Sequence, residues 1–216
     1  MTPERLRELI EIFKSKRNDF DVFASGIRQW FLGHEVLLRK NSVHSVKYRL
    51  KDVDHLEGKL QRKFGEVDLS NQDFFARLTD LAGVRVLHLH QAQFVDIHEA
   101  IRAKIDQNDW VLAEPAKAFT WDPESRDFFV EQGLEVELRD THYTSVHYLV
   151  RPRADSPLCC EIQVRTLFEE IWGEVDHQIN YPVPTQNIAS REQLRVLSKL
   201  VGAGSRLLDS IFRTRE

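Results

Sequence analysis

Cysteine and methionine are scarce in this 216-residue chain, with two and one respectively, and neither sign of charge dominates. Cys159 and Cys160 are adjacent within a β-type run, which excludes a disulfide framework and any CxxC metal spacing. Strand alternation predicts one buried and one semi-exposed thiol. A reducing, cytoplasmic setting is the expectation. No apolar run approaches the roughly 20 residues that span a bilayer, and MTPERLRELI has no apolar signal segment, so no membrane role is expected. The net charge of −4 excludes a broad basic face for nucleic acid but leaves room for a local basic cleft. A Walker loop and a GxGxxG are both missing, so phosphates would have to be held by side chains. Internal repeats, low-complexity tracts and Gly/Ser linkers are missing too.

What remains is a succession of short periodic segments. Thr2 and Pro3 open a helix with the apolar stripe Leu6, Leu9, Ile10 and Phe13, and a second helical stretch runs from Phe20 to Gly33. Ser42 to Lys51 alternates as a strand, and DVDHLEGKLQRKF after it is helical, with Asp52 or Asp54 near its start. GVRVLHLH is the clearest strand, FVDIHEAIRAKI an amphipathic helix and LEVELRD a further strand. WDPESRDFF, with its proline and polar residues, is expected to be a mobile loop. LFEEIWGEVDHQI is helical, and a long closing helix opens at Ser190, with a weak point at Gly202 and Gly204. This order implies an α/β or α+β domain around a mixed sheet, with helices at both termini.

Between Thr141 and Thr166 two β-type runs carry polar side chains at alternate positions. Val146, Tyr148 and Val150 fit a core face, as do Ile162 and Val164, leaving Tyr143, Ser145 and His147 to share the other face with Glu161, Gln163 and Arg165. A ring, an imidazole, a carboxylate and a guanidinium on one face suit a site better than a merely solvated surface. Asp80, just before a strand, suits a Mg²⁺ ligand and equally a turn aspartate. Glu161 suits a shared metal site or a general base. Arg85 sits inside an apolar strand and needs a carboxylate, a phosphate or a flat ring as partner. Arg49, Lys51 and Lys59 fit either a solvated basic edge or a phosphate site. Tyr143 offers a stacking surface for a nucleobase, and His147 a donor to phosphate or backbone. Glu174 and His177 lack convincing zinc spacing.

With these residues identified, the chain resembles the synthetase domain of the RelA/SpoT family of alarmone synthetases, especially its short members. The carrying motifs occur in order: YRLKDVDHLEGKL, LTDLAGVRV, YTSVHY, EIQVRT and WGEVDHQINY, spanning about Arg49 to Tyr181. The resemblance implies an α+β fold with a nucleotidyltransferase-like mixed sheet. It implies one synthetase domain, helical over 1–35, catalytic over about 42–182 and closed by a helix over about 190–214, without an HD hydrolase or regulatory domain. The implied reaction moves the β,γ-pyrophosphate of ATP to the 3′-hydroxyl of GDP or GTP, with Mg²⁺ as cofactor. Arg49 and Arg85 would then sandwich adenine, Lys51 and Lys59 hold the ATP phosphates, Asp80 and Glu161 bind Mg²⁺, and Glu161 activate the acceptor hydroxyl. Tyr143 would stack the acceptor base, with Arg139, Ser145, His147 and Gln163 around it.

Three positions depart from the family pattern. The usual glycine before the tyrosine is His142, which is expected to make the turn less permissive and to narrow the base pocket. The serine of the ATP element is His55. Glu170 stands where guanosine-specific relatives carry Asn or His, and its carboxylate is expected to accept from guanine N1–H and N2–H. An adenosine nucleotide or the tRNA 3′ end as acceptor stays open, the latter with Arg102, Lys104, Arg151 and Arg153 as a weak basic patch, as does a non-catalytic nucleotide-binding module. A homo-oligomer and an antitoxin or hydrolase counterpart stay open as partners.

Overall fold

Apolar stripes and caps place eight helices and seven strands in the computed structural model, which describes residues 1–67 and 69–214. In chain order these are α1 (Pro3–Gly33), α2 (Glu35–Arg39), β1 (Ser45–Leu50), α3 (Val53–Phe64), α4 (Asn71–Arg77), β2 (Ala82–His88), α5 (Gln93–Asp106), β3 (Val111–Leu112), β4 (Lys117–Thr120), α6 (Pro123–Glu131), β5 (Glu135–Leu138), β6 (Ser145–Arg151), β7 (Cys160–Thr166), α7 (Leu167–Asn180) and α8 (Ile188–Arg213). The sheet order is β1-β2-β7-β6-β4-β5, with β3 paired to β6. β2 runs parallel to β7 and β4 parallel to β5, while the other pairs are antiparallel, so the sheet is mixed as expected. None of the described helices is long and apolar enough to cross a membrane.

The expected inward residues Val146, Tyr148, Val150, Ile162 and Val164 are all buried in the core, with Phe13, Phe20 and Phe31 from α1. The Tyr148 hydroxyl meets Nδ1 of His98 at 2.7 Å, which satisfies both polar groups inside that core.

Several local expectations are corrected. The two N-terminal helical stretches are one helix of 31 residues, because nothing between Phe13 and Phe20 breaks the chain and its buried face continues through Ala24 and Ile27. WDPESRDFF is mostly helix α6: Asp122 caps it by accepting from the Ser125 N–H, and Pro123 occupies the first turn. The residues that suggested a loop are those of a helix start. Cys159 and Cys160 are both buried, since Cys159 precedes the strand and escapes its alternation. α8 begins two residues before Ser190, capped by Asn187, and runs unbroken through both glycines. At Gly204 a Cβ would lie 2.9 Å from Cζ of Phe168, so the glycine admits that ring rather than weakening the helix.

His88, 3% exposed at the end of β2, yields a pH prediction. Burial lowers its imidazole from 6.5 to about 4, so the folded protein keeps it neutral while the unfolded chain binds a proton below 6.5. Its contribution to stability is therefore complete above 6.5 and is lost as pH falls toward 4. Half-buried Glu169, pushed up to about 7 by burial, acts with the opposite sign, so the comparison must be with a variant. Between pH 7 and 5 the stability difference between wild type and His88→Gln should shrink by about 2 kcal/mol in urea titrations.

Candidate active site

Strand register assembles the site on one face of the sheet. Lys47 pairs with Arg85, Arg85 with Gln163, and Gln163 with His147 across β1, β2, β7 and β6. One step along, Arg49 pairs with Gly83 and Gly83 with Glu161. Paired residues share a face, so alternation in four separate strands converges on one polar floor. A cleft of about 170 Å³ lies over it, lined by Arg49, Asp80, Arg85, Glu161 and Gln163 among others. It adjoins a basic hollow of about 340 Å³, which shares Arg49 and Asp80 and adds Lys51, His55, Lys59 and Tyr181. A larger hollow of about 590 Å³ between α1 and Trp110 holds none of the residues expected to bind ATP or the acceptor nucleotide, only Lys104 of the weak basic patch.

Asp80 is fixed by two cations: Lys51 Nζ at 2.5 Å and Lys59 Nζ at 2.6 Å. Burial opposes its charge, but the two ammonium groups outweigh burial and hold its carboxyl below the usual range. Lys51 leaves the end of β1, while Lys59 projects from α3, which starts at the Asp52 cap. His55, one turn before Lys59, sets its ring edge-on to Tyr181 at 5.8 Å.

Glu161 accepts from Gln163 Nε2 at 2.7 Å and meets His147 Nδ1 at 3.0 Å. Burial again raises its proton affinity, and these two donors outweigh burial, so the carboxyl is held below its ordinary value. The other nitrogen of His147 lies 2.9 Å from the Tyr143 hydroxyl. Both ring nitrogens are thus engaged within the site, whereas the sequence expectation was a donor to phosphate or backbone.

Four expected acceptor residues have settings that sequence did not disclose. Ser145 is 1% exposed, donates to the Val164 carbonyl at 3.4 Å and also bonds the Tyr143 side chain, so it is buried beneath the site rather than open to a ligand. Arg139 pairs with Glu137 at 3.0 Å and covers Phe119 at 4.5 Å, and Phe119 in turn packs on His147. Glu170 is 5% exposed, with Arg165 Nε at 3.0 Å, Arg85 Nη1 at 3.2 Å and Lys47 Nζ at 3.5 Å. Oε1 is shared by Arg85 and Lys47 and Oε2 faces Arg165 Nε without hydrogen-bond geometry, whereas the sequence expectation was a carboxylate open to guanine. Tyr143 fits better: Arg165 lies beneath its ring, 5.7 Å from the centroid. His142 adopts φ 59, the left-handed backbone that glycine takes freely, and its ring packs on Trp121 at 4.9 Å. It lines the hollow under α8 with Thr166 and Trp172.

Alternation places Arg165 on this face without indicating its role. It donates to Gln163 Oε1 at 3.1 Å as well as pairing with Glu170. Glu174 binds Arg85 from the next turn of α7. Arg62 and Lys63, also lining the basic hollow, were missed; their signal was the helical spacing after Lys59.

Asp80 and Glu161 both line the cleft, and the charge of Asp80 is felt at Glu161. Two ionised oxygen donors fit Mg²⁺, which takes one or two carboxylates and completes its shell with water and substrate phosphates. No cluster of three His, Cys, Asp or Glu side chains suited to a metal occurs among the described residues, so substrate would have to supply the remaining ligands.

Residues 48–186 match the region found in RelA / SpoT proteins, more than half of the chain. GTP pyrophosphokinase YjbM of Bacillus subtilis (strain 168) is 26% identical over 174 residues, which are 80% of this chain and 72% of that protein. The small alarmone synthetase 1 structure from Bacillus subtilis superposes with a TM-score of 0.72 at 16% identity, covering 94% of this chain and 97% of that one. The structure of the same synthetase bound to its product pppGpp gives 0.70 at 17% identity, covering 94% and 98%. The fold is shared with those structures, and with the RelA/SpoT region extending from β1 past α7 the chain belongs to the RelA/SpoT family.

Proposed function

We propose that this chain is an alarmone synthetase, a pyrophosphokinase that transfers the β,γ-diphosphate of ATP to the 3′-hydroxyl of GDP or GTP. The observation that carries this reading is the meeting of Asp80 and Glu161, both held ionised, with Arg49 and Arg85 in the cleft and Lys51 and Lys59 in the basic hollow adjoining it. A relative named GTP pyrophosphokinase and a shared fold with a synthetase bound to pppGpp support the choice of acceptor.

In this reading Arg49 and Arg85 flank adenine, and Lys51 and Lys59 exchange their contacts with Asp80 for contacts with the triphosphate. His55, Arg62 and Lys63 extend the same basic wall. The acceptor base stacks on Tyr143, backed by Arg165, an arrangement worth about 1–3 kcal/mol per base. Glu161 takes the proton from the 3′-hydroxyl as its oxygen bonds to the β-phosphorus; the α,β-bridging bond breaks and AMP leaves with the electron pair. Mg²⁺ held by Asp80 and Glu161 would supply charge neutralisation on the transferred phosphates. Positioning and charge neutralisation suffice for such a transfer, without a covalent intermediate.

The test is incubation with Mg²⁺ and γ-labelled ATP against GDP, GTP, ADP, AMP and bulk tRNA, with labelled products resolved. Label on GDP or GTP is expected. Label only on an adenosine nucleotide or tRNA would retain the chemistry and overturn the acceptor, and no label on any acceptor would overturn the transfer itself. The tRNA reading gains little from its basic patch, since Lys104 is paired with Asp109 and Arg153 with Asp155.

A further inference from the structure

A tyrosine that served only as a stacking surface would need no internal partner for its hydroxyl, yet Tyr143 has one. The hydroxyl lies 2.9 Å from Nε2 of His147, whose Nδ1 lies 3.0 Å from Glu161 Oε1. The two rings stand at 90° with centroids 5.9 Å apart, so the contact is hydroxyl to ring edge and leaves the tyrosine face free of the imidazole. Phe119 packs edge-on against His147 at 4.8 Å, and Gln163, its cross-strand partner, holds the other Glu161 oxygen at 2.7 Å. An ionised carboxylate can only accept, so the hydrogen between this pair belongs to Nδ1, and Nε2 shares the second contact with the tyrosine hydroxyl.

We infer that Tyr143 and His147 are positioning residues for Glu161, a three-membered chain that ties the ring under the acceptor base to the carboxylate that receives the acceptor's proton. The inference rests on the proposed base role of Glu161. A stacked base fixes the tyrosine ring, the hydroxyl fixes the imidazole, and the imidazole fixes the carboxylate oxygen. Misplacing a reacting group by about 1 Å costs on the order of a hundredfold in rate. With Gln163 still holding the second oxygen, losing one link should cost about tenfold.

Tyr143→Phe removes the hydroxyl and keeps the stacking ring. It should lower kcat about tenfold while KM for ATP and for GDP stays within about twofold. His147→Asn, whose amide nitrogen can replace Nδ1 but offers nothing at Nε2, should match it, and the double variant should be no slower than either single. A Tyr143→Phe enzyme with wild-type kcat, an effect confined to acceptor KM, or multiplicative losses in the double variant would overturn the inference. A second measurement is independent of turnover: ¹⁵N shifts of the His147 ring should report a hydrogen on Nδ1, with Nε2 changing in Tyr143→Phe. A ring protonated only on Nε2 would sink the chain even if the wild type transferred no label, whereas failed transfer with the expected tautomer would count against the proposed reaction alone.

Discussion

Glu161→Gln should lower the turnover of pyrophosphate transfer by about 10²–10⁴-fold, the range contributed by a general base, while KM for ATP changes little. The side chain keeps its shape, but an amide cannot accept the proton of the 3′-hydroxyl. It also turns one accepting oxygen into a donor facing either His147, which pairs with one oxygen, or Gln163, which already donates to the other. Steady-state kinetics at saturating ATP and GDP checks the result, and near-wild-type turnover would eliminate the base role. The pH dependence has a definite sign. Because Glu161 is held below its ordinary value of 4.5, it is ionised throughout the neutral range, and its stabilising contribution is present above the unfolded carboxylate value and lost as pH falls through the lower folded one. The Gln variant should therefore be less sensitive than wild type to acid below about pH 4 in unfolding titrations.

Period-two alternation made the site legible, because a buried face forces register, and register then decides which polar residues meet. Glu161, Gln163 and His147 could thus be grouped before any fold was known, and Asp80, Lys51 and Lys59 followed from the family motifs. Alternation does not say how far a side chain on the polar face stands from water. Ser145 and Glu170 look like open site residues in sequence, yet one bonds to a neighbouring strand's backbone and the other is buried on α7 among cations. Short elements were hidden for another reason. β4 has four residues and β3 two, too few for a periodic signal, and α6 begins with the Asp-Pro pair that also marks loops. His142 is a third case: its left-handed backbone is visible only in the fold, and it turns the ring toward Trp121.

Glu170 carries the second large prediction, because sequence and structure disagree about it. As an open reader of the acceptor base, its loss would change acceptor preference and leave stability nearly untouched. Buried against Arg165, whose side chain is only 4% exposed, its loss strands a guanidinium whose remaining partners are Gln163 and the Tyr143 ring. Removing one partner of such a pair typically costs about 3–5 kcal/mol, so Glu170→Ala should unfold at markedly lower urea than wild type. Arg85 would keep Glu174 as a partner, so donor binding should suffer less than stability. An apolar replacement of both charges, Arg165→Met with Glu170→Leu, should regain much of the lost stability, since it removes the stranded charge instead of exposing it. The same double variant would leave Tyr143 without the cation beneath it, so KM for the acceptor should rise while KM for ATP holds. A Glu170→Ala protein as stable as wild type but altered in its choice among GDP, GTP and ADP would instead return the carboxylate to the role of base reader.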